Sequence, residues 1–297
     1  MQARFGFAAD GRSIEDETQA DCFAGAWTAW VVAGHAQHVA IRKPELDDVL
    51  TGYLTISDPV GSDPGDTQAH GSYFDRVAAF SDGFDKGVAT CRDAFGPDRV
   101  FTEEPFSPVD ENNGNAPYDQ TLQLVGQTLP TFWDEVFTSA FSRRFQKPRI
   151  TGFRGAAPAC AGGGSRELGY CRKDRTVYYD ERDLVRPAYR IGDWAVATAI
   201  SLPYATAARA ELGRSTDDAA ATRSAVCLTG WYTAQVFNGT FKNVALSPGD
   251  VDEAVRFLLK YGVSGDVFPN VHASGFELLR AFRDGFLQGG SACDVGI

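Results

Sequence analysis

Two carboxylates set four residues apart open the chain's chemistry. Glu17 and Asp21 lie in Glu17-Thr18-Gln19-Ala20-Asp21-Cys22-Phe23-Ala24-Gly25. As a helix, this stretch carries both acids on one face, one turn apart. Such a spacing can set one carboxylate as a metal ligand and the other, one turn later, against the back of a metal-bound His. A solvated acidic face has the same spacing. Small and apolar neighbours (Ala20, Cys22, Ala24, Gly25) argue that this face is buried, and a buried carboxylate requires a cation or hydrogen-bond donors.

Other candidate groups are few. His35 and His38 form a His-x-x-His pair with nothing nearby to complete a metal site. His70 precedes Gly71-Ser72 at the expected start of a helix. His-Glu-x-x-His, which supplies two zinc ligands and a general base from one helix, occurs nowhere in the chain.

The elements that must position these groups follow from punctuation and periodicity. Helices are expected from Ser13, as N-cap, to about Val32, over Pro44 to Ile56, and from Ser72 to Asp93. Residues 103–117, rich in Pro, Asn and acid, read as a linker. A helix from Tyr118 to Phe141 should kink at Pro130. Arg149-Ile-Thr-Gly-Phe153 and Thr176-Val-Tyr-Tyr179 read as strands around a loop between Cys160 and Cys171. Further helices open at Gly192-Asp-Trp, at Thr216, at Ser247-Pro-Gly-Asp250 with Ser247 as N-cap, and at His272. The expected class is α+β, mainly α.

The chain also repeats itself. His70 to Cys91 aligns without a gap on His272 to Cys293, with roughly half of the positions identical. Upstream, Glu45-Leu-Asp-Asp-Val-Leu matches Asp250-Val-Asp-Glu-Ala-Val, and Cys22-Phe-Ala-Gly25 matches Cys227-Leu-Thr-Gly230. Two tandem units are expected, in residues 1–102 and 118–297, the first lacking its N-terminal half. The six cysteines follow the repeat: Cys22 should bridge Cys91, Cys227 should bridge Cys293, and Cys160 and Cys171 should pair locally. The alternative is buried free thiols.

Composition bounds the partners. A formal net charge of −11 argues against nucleic acid and against an anionic membrane surface as partners. No apolar run reaches the roughly 20 residues that span a bilayer, and Met1 to Gly6 has no signal-peptide pattern. An even cysteine count argues instead for an oxidising compartment, extracellular or in the cell envelope.

These landmarks together resemble the neutral zinc metallopeptidases of bacteria, a gluzincin-like family. The resemblance rests on Phe132-Trp133, Tyr170-Cys171, Val177-Tyr-Tyr-Asp180, Gly192-Asp-Trp-Ala-Val-Ala197, Glu17-Thr-Gln-Ala-Asp-Cys22 and His70-Gly-Ser72. It implies a role for Glu17 as third zinc ligand, with Asp21 gripping a metal-bound His from behind. It implies that His70 could donate to an oxyanion, although His272 recurs in the other copy and favours a purely structural role. In the second copy, His-Glu-x-x-His falls on Leu202-Pro-Tyr-Ala-Thr206. Glu17 and Asp21 correspond there to Thr222 and Val226. Leu202, Pro203, Thr206, Thr222 and Val226 form no zinc site and activate no water.

The resemblance also places a His-Glu-x-x-His just ahead of Met1, so Met1 is expected to be an internal residue of a longer protein. That parent would hold zinc and cleave peptide or protein substrates. This chain is expected to bind no zinc and to be inactive. The alternative is a non-catalytic envelope scaffold or peptide-binding protein.

Overall fold

A pair of glycines at a close helix crossing appears in each unit of the computed structural model, which describes residues 12–96, 99–161, 167–265, 267–268 and 273–296. In the first unit, residues 1–114, helix α1 (Ser13–Val32) crosses α3 (Tyr73–Lys86). A Cβ on Gly25 would lie 1.9 Å from the Phe80 carbonyl oxygen, and one on Gly83 would lie 1.8 Å from that of Cys22. Only glycine permits two backbones to approach so closely. The Cys22–Cys91 disulfide then ties α1 to α4 (Val88–Asp93), and Gln19 Nε2 donates to the Cys91 carbonyl at 2.9 Å. Helix α2 (Lys43–Tyr53) completes this unit.

Ser13 is the first helical residue of α1 rather than its cap, which is Arg12. The helix expected from Ser72 to Asp93 is two helices. Gly87, at φ +79°, breaks it into α3 and α4, since that conformation suits glycine and ends a helix. Ser72 caps α3 by accepting from Asp75 N–H at 3.1 Å. Asp75 in turn accepts from Thr102 N–H at 2.8 Å and Glu103 N–H at 3.0 Å. The start of the expected linker is therefore held against α3.

The second unit, residues 115–297, is mainly helical with one small sheet. Helix α5 (Tyr118–Phe141) contains Pro130. Strands β1 (Arg149–Phe153), β2 (Leu168–Cys171) and β3 (Thr176–Asp180) form a sheet in the order β1-β3-β2. β1 lies parallel to β3, with Ile150 opposite Val177; β2 lies antiparallel to it, with Gly169 opposite Tyr178. The Cys160–Cys171 disulfide anchors the end of β2. Helices α6 (Asp193–Glu211), α7 (Ala219–Phe237), α8 (Asp250–Tyr261) and α9 (Gly275–Gln288) follow.

α7 and α9 cross as α1 and α3 do. A Cβ on Gly230 would lie 2.0 Å from the Phe282 carbonyl oxygen, and one on Gly285 would lie 1.7 Å from that of Cys227. Cys227–Cys293 closes the crossing, and Ser224 Oγ donates to the Cys293 carbonyl. Gly289, at φ +73°, ends α9 as Gly87 ends α3.

Helix starts in the second unit also differ from expectation: α9 begins at Gly275, capped by Ser274, rather than at His272. α7 begins at Ala219, capped by Asp218, which accepts from Ala221 N–H at 2.7 Å. α8 begins at Asp250, with Gly249 rather than Ser247 in the cap position. The Asp250 carboxylate reaches back to Ser247, accepting from its N–H at 2.7 Å and its hydroxyl at 2.9 Å, which holds the entering chain outside the helix.

Candidate binding cleft

In the first unit the acidic pair is organised around an arginine. Asp21 is buried, and Arg76 on α3 donates to it twice, Nε to Oδ2 at 2.8 Å and Nη2 to Oδ1 at 3.0 Å. Arg76 Nη1 also donates to the Ile56 carbonyl at 2.6 Å. Burial pushes the Asp21 carboxyl above its ordinary value, and the Arg76 pairing works against that rise. Glu17 stands at the rim, its side chain 41% exposed and 3.8 Å from Arg76. Both Asp21 oxygens are engaged by a guanidinium, so this residue has its cation from within the chain.

His70 lies on the surface beside Asp58. Its Nδ1 is 3.1 Å from Asp58 Oδ1, and Asp58 Oδ2 accepts from the backbone N–H of Gly71 at 2.9 Å. Its counterpart in the repeat, His272, lies outside the described residues. Asp58 thus positions the turn that leads into α3, with His70 as part of that turn.

The second unit brings four of the five positions matched to zinc chemistry to one place. Leu202, Pro203 and Thr206 on α6 and Thr222 on α7 line a cavity of about 460 Å³. β2 supplies its far wall through Leu168, Gly169 and Tyr170, while Arg172 and Lys173 lie at the same wall. Val226 is fully buried. The α6 residues converge because their spacing of three and four puts them on one helix face. Their donor chemistry does not fit zinc. Two aliphatic side chains, a proline and two threonines offer no imidazole, thiolate or carboxylate. Glu17, with Asp21 committed to Arg76, does not complete a set either. No catalytic step is therefore routed through zinc.

Sequence reasoning missed β2, which is short and contains Gly169. The signal available was Leu-Gly-Tyr-Cys set before a turn and a strongly β-forming Thr-Val-Tyr-Tyr. It also missed Arg76 as the partner of Asp21.

No family model matches the chain, no curated protein matches it, and no solved structure matches its fold. Among the described residues, no helix is long and apolar enough to cross a membrane.

Proposed function

We propose that this chain is a non-catalytic, metallopeptidase-like protein of the cell envelope or extracellular space, built from a duplicated unit, and that its second unit binds an extended peptide. The observation that carries this is the cleft between β2 and helices α6 and α7. It lies where the resemblance sets a peptidase's reacting groups, and Leu202, Pro203, Thr206 and Thr222 stand at those positions instead, with Arg172, Lys173 and Asp217 also in the lining. One edge of β2 pairs with β3, and among the described residues no strand pairs with its other edge. A peptide entering the cleft can pair with that second edge through backbone hydrogen bonds, as an added strand. Leu202 and Pro203 would contact its side chains. Arg172 and Lys173 favour acidic residues in the peptide, or a terminal carboxylate.

The three disulfides are consistent with an oxidising compartment. The duplication is supported by the matched helix crossings, each with its glycine pair and its disulfide. Peptide hydrolysis in a longer, zinc-loaded form would rest on Glu17 and a motif this chain does not contain.

The test is binding without cleavage. Fluorescein-labelled peptides of four to eight residues, from a mixed library, are titrated with the full chain and followed by anisotropy. Saturable binding is expected, with no cleavage products by mass spectrometry, zinc present or absent. Thr206→Trp fills the cleft from a partly exposed position and should weaken binding at least tenfold. Affinity unchanged by that substitution, or no peptide bound at all, would rule the cleft out.

A further inference from the structure

Three acidic side chains meet where two helices of the second unit begin. Asp193 is the first residue of α6, Asp250 the first of α8, and Glu253 lies one turn further along α8. One oxygen from each lies within 4.8 Å of the other two. Asp193 and Asp250 are only 8% and 4% exposed. Glu253 fits against the backbone because residue 192 is glycine: a Cβ there would sit 1.8 Å from the Glu253 carboxylate.

Part of this negative charge is answered by backbone. Glu253 Oε2 accepts from Trp194 N–H at 2.9 Å, Asp193 Oδ2 from Ala116 N–H at 3.0 Å, and Ser247 occupies Asp250 as described above. The remaining Asp193 oxygen, Oδ1, is buried and has no hydrogen-bond partner among the described residues. A buried carboxylate oxygen without a donor costs free energy unless something absent from the polypeptide meets it.

Charge counting indicates what that is. Each helix N-terminus offers about half a positive charge. Two of them offset about one of three carboxylates, which leaves about two negative charges. Arg256 is the neighbouring cation, and its pull on Glu253 is weaker than the effects of burial and of the two adjacent carboxylates. A donor set made wholly of oxygen selects a hard divalent cation over zinc.

We propose that Asp193, Asp250 and Glu253 bind calcium, which ties the start of α6 to the start of α8. Extracellular modules bind calcium at about 10⁻⁴–10⁻³ M. The site lies at the opposite end of α6 from Thr206 and takes no part in the peptide cleft.

The full chain, stripped with EGTA, provides the test. Trp194 adjoins the site and should sensitise the emission of Tb³⁺ bound there. We expect saturable terbium emission on excitation of tryptophan, displaced by calcium. Saturating calcium should also raise the melting temperature of the second unit by about 5 °C. Asp193→Asn and Glu253→Gln should each abolish the emission and the calcium response. Two results would overturn the proposal: no terbium emission with no calcium-dependent shift, which would leave a shared proton as the neutralising group, or emission that persists in both variants. Because Glu253→Gln removes one ligand with little change in shape, the test stands even if Asp193→Asn fails to fold.

Discussion

Arg76 holds Asp21 through two parallel N–H···O bonds inside the first unit, and the matching positions of the second unit are Val226 and Leu278, both fully buried. One unit fills this place with an ion pair and the other with an apolar pair. The two residues are 55 apart in sequence, yet both differ from the residues at the aligned positions of the second unit. That is the pattern of a contact kept as a unit, since either half alone would strand a buried charge.

The first prediction follows from this. Arg76→Leu leaves Asp21 buried without its guanidinium, and Asp21→Val removes the buried carboxylate of Arg76, which keeps the half-exposed Glu17 at 3.8 Å and the Ile56 carbonyl. Each single substitution should cost about 3–5 kcal/mol. The double variant Asp21→Val/Arg76→Leu imports the apolar pair and should recover most of that loss. Urea unfolding of the four proteins, followed by hydrogen exchange at amides of α1 and α3, gives the coupling energy directly.

The disulfides yield a second prediction. Cys227 and Cys293 close a loop with a sequence separation of 66. On the chain-entropy account, removing that closure by Cys227→Ala/Cys293→Ala costs about 4 kcal/mol. Cys22→Ala/Cys91→Ala should cost a similar amount in the first unit, whose separation is 69. The crossings set a more stringent condition. Gly285→Ala or Gly83→Ala drives a methyl group onto a carbonyl oxygen, so the helices must move apart at the place where the disulfide forms. Each should cost about 3 kcal/mol. Thermal melts, with thiol titration of the purified variants, would report both effects.

Much of the architecture was legible because it rests on local signals or on the repeat. Helix extents follow periodicity. The Cys22 and Cys91 positions gain meaning only beside Cys227 and Cys293. Gly25 and Gly83 could have been recognised in the same way, because Gly230 and Gly285 recur at the aligned positions. What the sequence concealed is long-range. Nothing local places Arg76 on Asp21, or Asp193 beside Asp250 and Glu253. β2 was hidden because four residues with a central glycine carry almost no strand propensity, and its partner β3 makes it a strand. The helix starts at Ala219 and Asp250 depended on which acid reached which backbone N–H, a choice between neighbours that composition leaves open.

The acidic cluster makes stability depend on pH in a definite direction. Burial, then the charges of Asp250 and Asp193, hold the Glu253 carboxyl well above its ordinary 4.5. Burial raises Asp193 as well. The folded chain therefore keeps protons that the unfolded chain has released, and ν_U − ν_N is negative between the two pKa values. The stabilisation is complete below the unfolded value and is lost as pH rises through the folded one. In EGTA, the melting temperature of the second unit should fall as pH is raised from about 5 to about 8. Arg256 and Tyr189 also face these groups, and burial raises the Tyr189 phenol above its ordinary value. Glu253→Gln should remove most of the slope. Saturating calcium should flatten it too, because the cation replaces the proton. A melting temperature rising over the same range without calcium would contradict this account.

The last prediction concerns the outer face of α1. From Cys22 to Val32 this helix carries no charged residue on any face, a pattern of helices buried on every side. Its inner face packs on α3, but Trp27 and Trp30 on the other side are 53% and 48% exposed. In the second unit the position matching Trp27 is Tyr232, which is 1% exposed. Tyr232 stacks on Trp194 at 5.8 Å, and its hydroxyl meets Thr128 Oγ1 at 2.5 Å. The same helix face is thus covered by α5 and α6 in one unit and open in the other. Trp27→Gln/Trp30→Gln should change the stability of the first unit by no more than about 0.5 kcal/mol per site. It should also reduce self-association in sedimentation velocity and lower the binding of a hydrophobic dye. Tyr232→Ala, which empties a filled core position, should cost about 3 kcal/mol or more. A large loss of stability in the tryptophan variant would mean that the outer face of α1 is covered in solution.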